Sequence, residues 1–320
     1  MLDDHAIPNA ARQIEGRLPR TPLFSSHSLG QIADVRLFLK CECFQKTGSF
    51  KARGALNKVL SLSSEESDRG LITVSAGNHA QAVAWAAGEV GAPCAVVMPA
   101  DAPRSKIDAV RGYGAEVILD PNRERLFERL HDEQKRRGSV FVHPFDDPVV
   151  LAGAGTVGLE IMEDLPDVDV VVVPVGGGGL MGGVATAIKS ARRQTRVVAV
   201  ELEDGPGLGP ALEAGKPLTV QRPTNTLADG MTPPFVGQLP LEIARSFVDD
   251  IVTVSEQDII DALRLLMTRA KLYVEGSGAA ATAAVLAGRV DIQPGSRVAV
   301  VVSGGNIDID RLCGAVIGGD

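Results

Sequence analysis

A lysine at the junction of a strand pattern and a helix pattern is the residue of this chain best placed to act as a nucleophile. Lys51 lies in Ser49-Phe50-Lys51-Ala52-Arg53-Gly54-Ala55, after a strand-like run at 35–40 and before a helical pattern at 52–62. In the first turn of a helix, unpaired backbone N–H groups disfavour a further positive charge. That setting lowers the pKa of the amine, and a neutral amine attacks carbonyl carbon. A solvated surface lysine is the plain alternative, and the rest of the chain decides between the two.

Three further segments supply what a phosphate-bearing aldehyde needs. The apolar run 171–175 ends in Gly176-Gly177-Gly178-Gly179-Leu180 and opens a helical pattern. Without side chains, backbone N–H groups can close on a phosphate, whose charge the helix dipole favours. The strand-like run 71–74 leads into Ser75-Ala76-Gly77-Asn78-His79. There a hydroxyl, an amide and turn N–H groups can receive a substrate carboxylate, and Asn78 can bond a phenolic oxygen on a cofactor ring. The β-branched run 298–302 ends in Ser303-Gly304-Gly305-Asn306. Taken singly these are a flexible turn, an N-cap and a strand end. Together with Lys51 they make a pyridoxal phosphate site, in which the lysine forms a Schiff base with the cofactor.

In this order and spacing the four segments resemble the fold type II pyridoxal-phosphate enzymes, and among them the threonine/serine dehydratase and serine racemase family. The resemblance spans essentially the whole chain, including Arg20-Thr21-Pro22-Leu23, the stretch from Met98-Pro99 through Tyr113-Gly114-Ala115-Glu116-Val117, His143-Pro144-Phe145-Asp146-Asp147-Pro148 and Leu227-Ala228-Asp229-Gly230. It implies that Phe50 and Lys51 contact the cofactor, with Lys51 the catalytic amine. It also implies that Gly176, Gly177, Gly178, Gly179 and Leu180 hold the phosphate, Asn78 the ring oxygen, and Ser303 the pyridine nitrogen. Ser75, Ala76, Gly77, Asn78 and His79 would receive the substrate. The implied activity is β-elimination of water from L-threonine or L-serine, giving a 2-oxo acid and ammonia. A neutral hydroxyl opposite the ring nitrogen weakens the electron sink and favours prompt elimination over transamination.

Position 76 separates dehydration from racemisation. A racemase needs an acid/base group on each face of the α-carbon, and the family's racemases place a serine second in this run. Ala76 moves no proton. A 3-hydroxyaspartate or bulkier 3-hydroxy amino acid would need only local pocket changes. Ala154, where related enzymes often carry glutamine, is a departure on the substrate side. Metal-dependent relatives share a cation between a glutamate, a carbonyl and an aspartate. Glu201 fits the first position, but Gly205 and Gly207 occupy the later two, so no metal site is assigned. His79 reads as support for the carboxylate loop; His5, His27, His131 and His143 read as surface or core histidines. From motif logic alone a different class competes. Gly177-Gly178-Gly179-Leu180-Met181-Gly182 matches G-x-G-x-x-G after a strand, with Glu201 about twenty residues on, as in an NAD-binding oxidoreductase. That reading leaves Lys51, Asn78 and Ser303 unexplained.

The elements that must position these residues alternate along the chain. Strand-like runs at 71–74, 93–98, 115–119 and 139–142 are separated by helical patterns at 78–90, 104–113 and 122–137. A second series predicts helices at 149–164, 180–192, 255–270 and 277–288, with strands at 169–174, 196–201 and 297–302. Such alternation means an α/β fold of parallel-rich sheets covered by helices, with ligands at the carboxyl ends of the strands. By family comparison, 63–148 form a small lobe and 1–62 with 149–320 a large one, the cofactor lying between. The stretch 203–240, rich in Gly and Pro, reads as irregular. Across 320 residues, 45% hydrophobic and 22% charged content is that of a globular chain. The net charge of −8 argues against nucleic-acid or anionic-membrane partners. Cys41, Cys43, Cys94 and Cys313 show no disulfide framework, and the first residues show no secretory signal, which together read as cytoplasmic. The family suggests a homodimer or homotetramer.

Overall fold

The computed structural model describes residues 1–317. Its ten strands among those residues are β1 (Leu23–Ser25), β2 (Arg36–Cys41), β3 (Leu71–Val74), β4 (Cys94–Pro99), β5 (Glu116–Asp120), β6 (Val140–Phe141), β7 (Val170–Pro174), β8 (Arg196–Leu202), β9 (Asp250–Val254) and β10 (Arg297–Val302). They form two sheets. One is six-stranded in the order β1-β2-β10-β7-β8-β9, parallel except for β1, and the other is four-stranded and all parallel in the order β5-β4-β3-β6. This is the α/β class that the alternation predicts.

The central strands are apolar throughout because both faces of the sheet are covered. Val170 and Val172 with Val298 and Val300 enter one core; Val171 and Val173 with Ala299 and Val301 enter another on the opposite face. Each buried valine contributes roughly 1.5 kcal/mol or more. Two helices meet at small residues: a Cβ on Gly153, in the helix Pro148–Asp164, would lie 2.6 Å from the carbonyl oxygen of Arg53, in the helix Lys51–Leu60.

The stretch 203–240 departs from expectation. It contains the helix Leu208–Ala214 and the start of the helix Gln238–Phe247, and β9 follows it. Pro210 and Pro240 sit in the first turns of these helices, where an N–H has no intrahelical acceptor to lose. Proline there opens a helix rather than forbidding one. The predicted helix at 255–270 is the helix Glu256–Leu265 followed by a π-turn at Leu266–Ala270, stopped by Lys271 at φ +61°. Among the described residues no helix is long and apolar enough to cross a membrane.

Candidate active site

Lys51 begins the helix Lys51–Leu60, whose position is fixed from below by a buried ion network. Arg53, two residues on, is fully buried. It donates to Glu42 Oε1 and Oε2 at 2.8 Å each, and to Glu160 Oε1 at 2.6 Å and Oε2 at 2.8 Å. Glu160 also accepts from buried Lys40 at 2.5 Å. Removing one member of such a set leaves a buried charge uncompensated, at a cost of about 3–5 kcal/mol, so the helix start is held rigidly. Above it, Lys51 Nζ donates to the Pro144 carbonyl at 2.7 Å and stands 5.1 Å from the centre of the Phe50 ring. Burial lowers its pKa to about 8. Desolvation is the dominant cause here, rather than the helix terminus invoked from sequence.

Pro144 and Phe145 connect the amine to the glycine turn. A Cβ on Gly177 would collide with the Phe145 ring, and one on Gly179 would lie 3.1 Å from Phe145 Cα. Gly178 has φ +91°, and a Cβ there would come within 2.6 Å of Pro240. Gly176 is walled on its other side by the Gly230 carbonyl, 2.8 Å from a Cβ position. Among the described residues no protein acceptor takes the N–H groups of residues 177–180, at the start of the helix Gly179–Ala191. A side chain would collide at 176, 177 and 178 and be crowded at 179, and the free donors form a cradle for an anion.

The Ser303 segment is stitched to the lysine by its backbone. Phe50 N donates to the Ser303 carbonyl at 3.1 Å, and Ser49 bridges Gly304. The Ser303 hydroxyl is buried, 3.4 Å from the Ser277 carbonyl. Asn78, first residue of the helix Asn78–Val90, donates from Nδ2 to Glu275 Oε1 at 2.6 Å and accepts from Asn306 Nδ2 at 2.8 Å. Next to it, Gly77 N donates to Ser75 Oγ at 3.1 Å, while the N–H groups of residues 78 and 79 find no acceptor among the described residues. His79 is buried with Nε2 3.1 Å from the Val142 carbonyl, and burial pushes its pKa well down, so it stays neutral. Contacts thus join the segments that follow β3, β7 and β10: Lys51 to the run 176–180 through Pro144 and Phe145, Phe50 to Ser303, and Asn78, in the loop Ser75–His79, to Asn306.

The model of the Pyridoxal-phosphate dependent enzyme family matches residues 14–304. The chain belongs to that family. Two curated relatives of this family member are the L-threonine ammonia-lyase of Thermotoga maritima and the catabolic L-threonine dehydratase TdcB of Escherichia coli. The first is 48% identical over 98% of this chain and 77% of its own. The second is 44% identical over 97% of this chain and 94% of its own. Among solved structures, maize serine racemase superposes with a TM-score of 0.92 at 37% identity, covering 99% of this enzyme and 97% of the maize chain. The fold is therefore that of fold type II pyridoxal-phosphate enzymes. The site fits the cofactor on its own evidence: a side-chain-free cradle with unused N–H donors lies beside a buried amine of lowered pKa. The dinucleotide alternative is overturned by the family match, and Glu201 does not face a ribose. Its buried carboxylate accepts the N–H groups of Gly207, Leu208 and Gly209 at 2.7, 2.7 and 3.1 Å. The Arg222 guanidinium donates to the nearby Gly205 carbonyl.

Several residues at the site carried no signal in the sequence. Glu275, buried and bonded to Asn78, has its pKa raised to about 7 by burial, with the charge of Asp229 adding to the effect. Asn306 links Asn78 to the Thr47 carbonyl, and Lys106 reaches in from the helix Arg104–Gly112. His143, read as a surface or core histidine, is partly buried and acts structurally. Its Nδ1 accepts from Phe145 N and Asp146 N, shaping the turn that presents the Pro144 carbonyl to Lys51. Burial, and then the charge on Lys51, lower its pKa.

Proposed function

We propose that this enzyme is an L-threonine/L-serine ammonia-lyase, releasing a 2-oxo acid and ammonia by β-elimination. The observation that carries the reading is the pairing of one buried amine, Lys51, with a carboxylate loop whose second residue, Ala76, has no proton to give. The relatives named L-threonine ammonia-lyase and L-threonine dehydratase agree with it.

Bound pyridoxal phosphate would supply the sink for negative charge developing at the substrate α-carbon. In this proposal the N–H groups of residues 177–180 hold its phosphate, Asn78 its ring oxygen and Ser303 its ring nitrogen, with Phe50 beside it. Lys51 Nζ removes the α-proton; burial keeps a useful fraction of the amine neutral at physiological pH. The Ser75–His79 loop orients the substrate carboxylate with the N–H groups that the protein leaves free. Neutral His79 braces that loop against the Val142 carbonyl rather than titrating. With an acid on one face only, the α-carbon is reprotonated from the side it lost its proton or the β-hydroxyl leaves.

The segment 63–148 is proposed as the small lobe that carries the carboxylate loop toward the large one. A cytoplasmic homodimer or homotetramer is proposed as well. The exposed edge-to-face pair Phe24–Phe44, with centroids 6.4 Å apart beside the edge strand β1, suits burial against a second copy. The deciding experiment incubates the holoenzyme with L-threonine and L-serine in deuterated water. The 2-oxo acid is quantified and the amino-acid enantiomers are resolved. Rapid 2-oxo acid release with negligible D-serine is expected; D-serine formed at a comparable rate would overturn the assignment.

A further inference from the structure

Lys106 joins the two walls of the cleft. Its side chain is only 13% exposed, and its Nζ donates to Asp229 Oδ2 at 2.7 Å. The same Nζ lies 3.6 Å from where a Cβ on Gly77 would stand, so the ammonium rests against the middle of the carboxylate loop. Asp229 belongs to the opposite wall. It opens the 3₁₀ turn Asp229–Met231, and the carbonyl of the next residue, Gly230, packs on Gly176 at the rim of the glycine cradle. The bridge therefore runs from the carboxylate loop to the cradle rim; in the proposed function the side chain of a substrate held between them would lie beside it. Glu275, Asn306 and Arg311 share the cavity, and Arg311 Nη1 is 3.5 Å from Asp229.

The balance of charge in that space is specific. A lysine without a partner here would attract a second carboxylate on the substrate. Both cations of the cavity are instead committed, Lys106 to Asp229 and Arg311 to Asp229 and the Thr226 carbonyl, so a second carboxylate would find no free cation and would meet the Asp229 carboxylate. Bringing like charges together in a partly desolvated site is strongly disfavoured. We propose that the Lys106–Asp229 pair is the specificity determinant of this site, confining it to amino acids with uncharged side chains and rejecting 3-hydroxyaspartate. This inference rests on the ammonia-lyase reading for its biological meaning, but the selection it describes is a binding property.

The test uses ligands that lack a leaving group, so that it does not depend on turnover. Dissociation constants of L-alanine and L-aspartate are measured on the holoenzyme from the change in cofactor absorbance. Wild type should favour alanine. Asp229→Asn, close to isosteric, should move the alanine-to-aspartate preference toward aspartate by tenfold or more. Lys106→Met, which leaves Asp229 only the longer Arg311 contact, should move it further toward alanine, and Lys106→Arg should restore the wild-type ratio. A merely structural bridge would shift both single variants in the same direction. That outcome, or ratios within twofold of wild type, would overturn the proposal. Bound cofactor and circular dichroism confirm that each variant is folded. Release of 2-oxobutanoate from L-threonine by wild type is scored separately, and its absence would sink the ammonia-lyase reading while leaving the alanine–aspartate result to judge the pair.

Discussion

The reactivity of Lys51 is a measurable consequence of its burial. An exposed lysine amine with a pKa of 10.5 is only about 0.03% neutral at pH 7, whereas one at about 8 is roughly 10% neutral, a gain of about 300-fold in nucleophile. The assay is the rate at which the apoprotein incorporates pyridoxal phosphate, trapped covalently by borohydride, from pH 6 to 10.5. The rate should climb about tenfold per pH unit and level off near pH 8. The same perturbation governs stability. Because the folded pKa is depressed, the charged amine opposes folding. That cost is complete below about pH 8 and gone above 10.5, so stability rises with pH through the interval. The difference between the two pKa values corresponds to about 3 kcal/mol. Lys51→Met relieves it and loses the hydrogen bond to the Pro144 carbonyl, worth about 1 kcal/mol. The apoprotein variant should thus be about 2 kcal/mol more stable than wild type to urea at pH 7, with the advantage shrinking toward pH 10.5. An incorporation rate still rising at pH 10, with no stability gain in the variant, would refute the reasoning.

Gly177→Ala should weaken pyridoxal phosphate retention by an order of magnitude or more, since its Cβ collides with Phe145 at the cradle floor; equilibrium dialysis against the free cofactor measures this. Ala76→Ser should raise D-serine formation relative to 2-oxo acid release, by supplying a hydroxyl in the carboxylate loop, with the product ratio read by chiral chromatography. Chelator treatment should leave turnover and melting temperature unchanged. The Glu201 carboxylate is satisfied by three N–H groups, and the neighbouring Gly205 carbonyl is engaged by Arg222. A loss restored by magnesium or calcium would show that this oxygen cluster holds a cation.

Much of the candidate site was legible in the sequence because the chemistry proposed for it is local. Lys51 stands at a helix start, and the glycines after β7, the Ser75–His79 turn and Ser303 after β10 each combine a strand end with a residue type suited to the proposed cofactor. The apolar runs of β7 and β10 declared a doubly covered sheet in the same way. Residues that act through partners distant in the chain gave no such sign. Glu275 meets Asn78 across 197 positions and Lys106 meets Asp229 across 123, and no local pattern distinguishes either from a surface charge. Pro144 matters through its carbonyl oxygen, which side-chain identity does not report, and His143 through the turn it shapes. The helix Leu208–Ala214 was hidden because a proline in the first turn resembles a breaker. The sequence by itself determined which groups could do the chemistry and which segments would carry them to strand ends. Only the tertiary structure decided the charge state of Lys51, since desolvation depends on what packs around the amine, and the pairing of Lys106 with Asp229, since that contact exists only once the two sheets face each other.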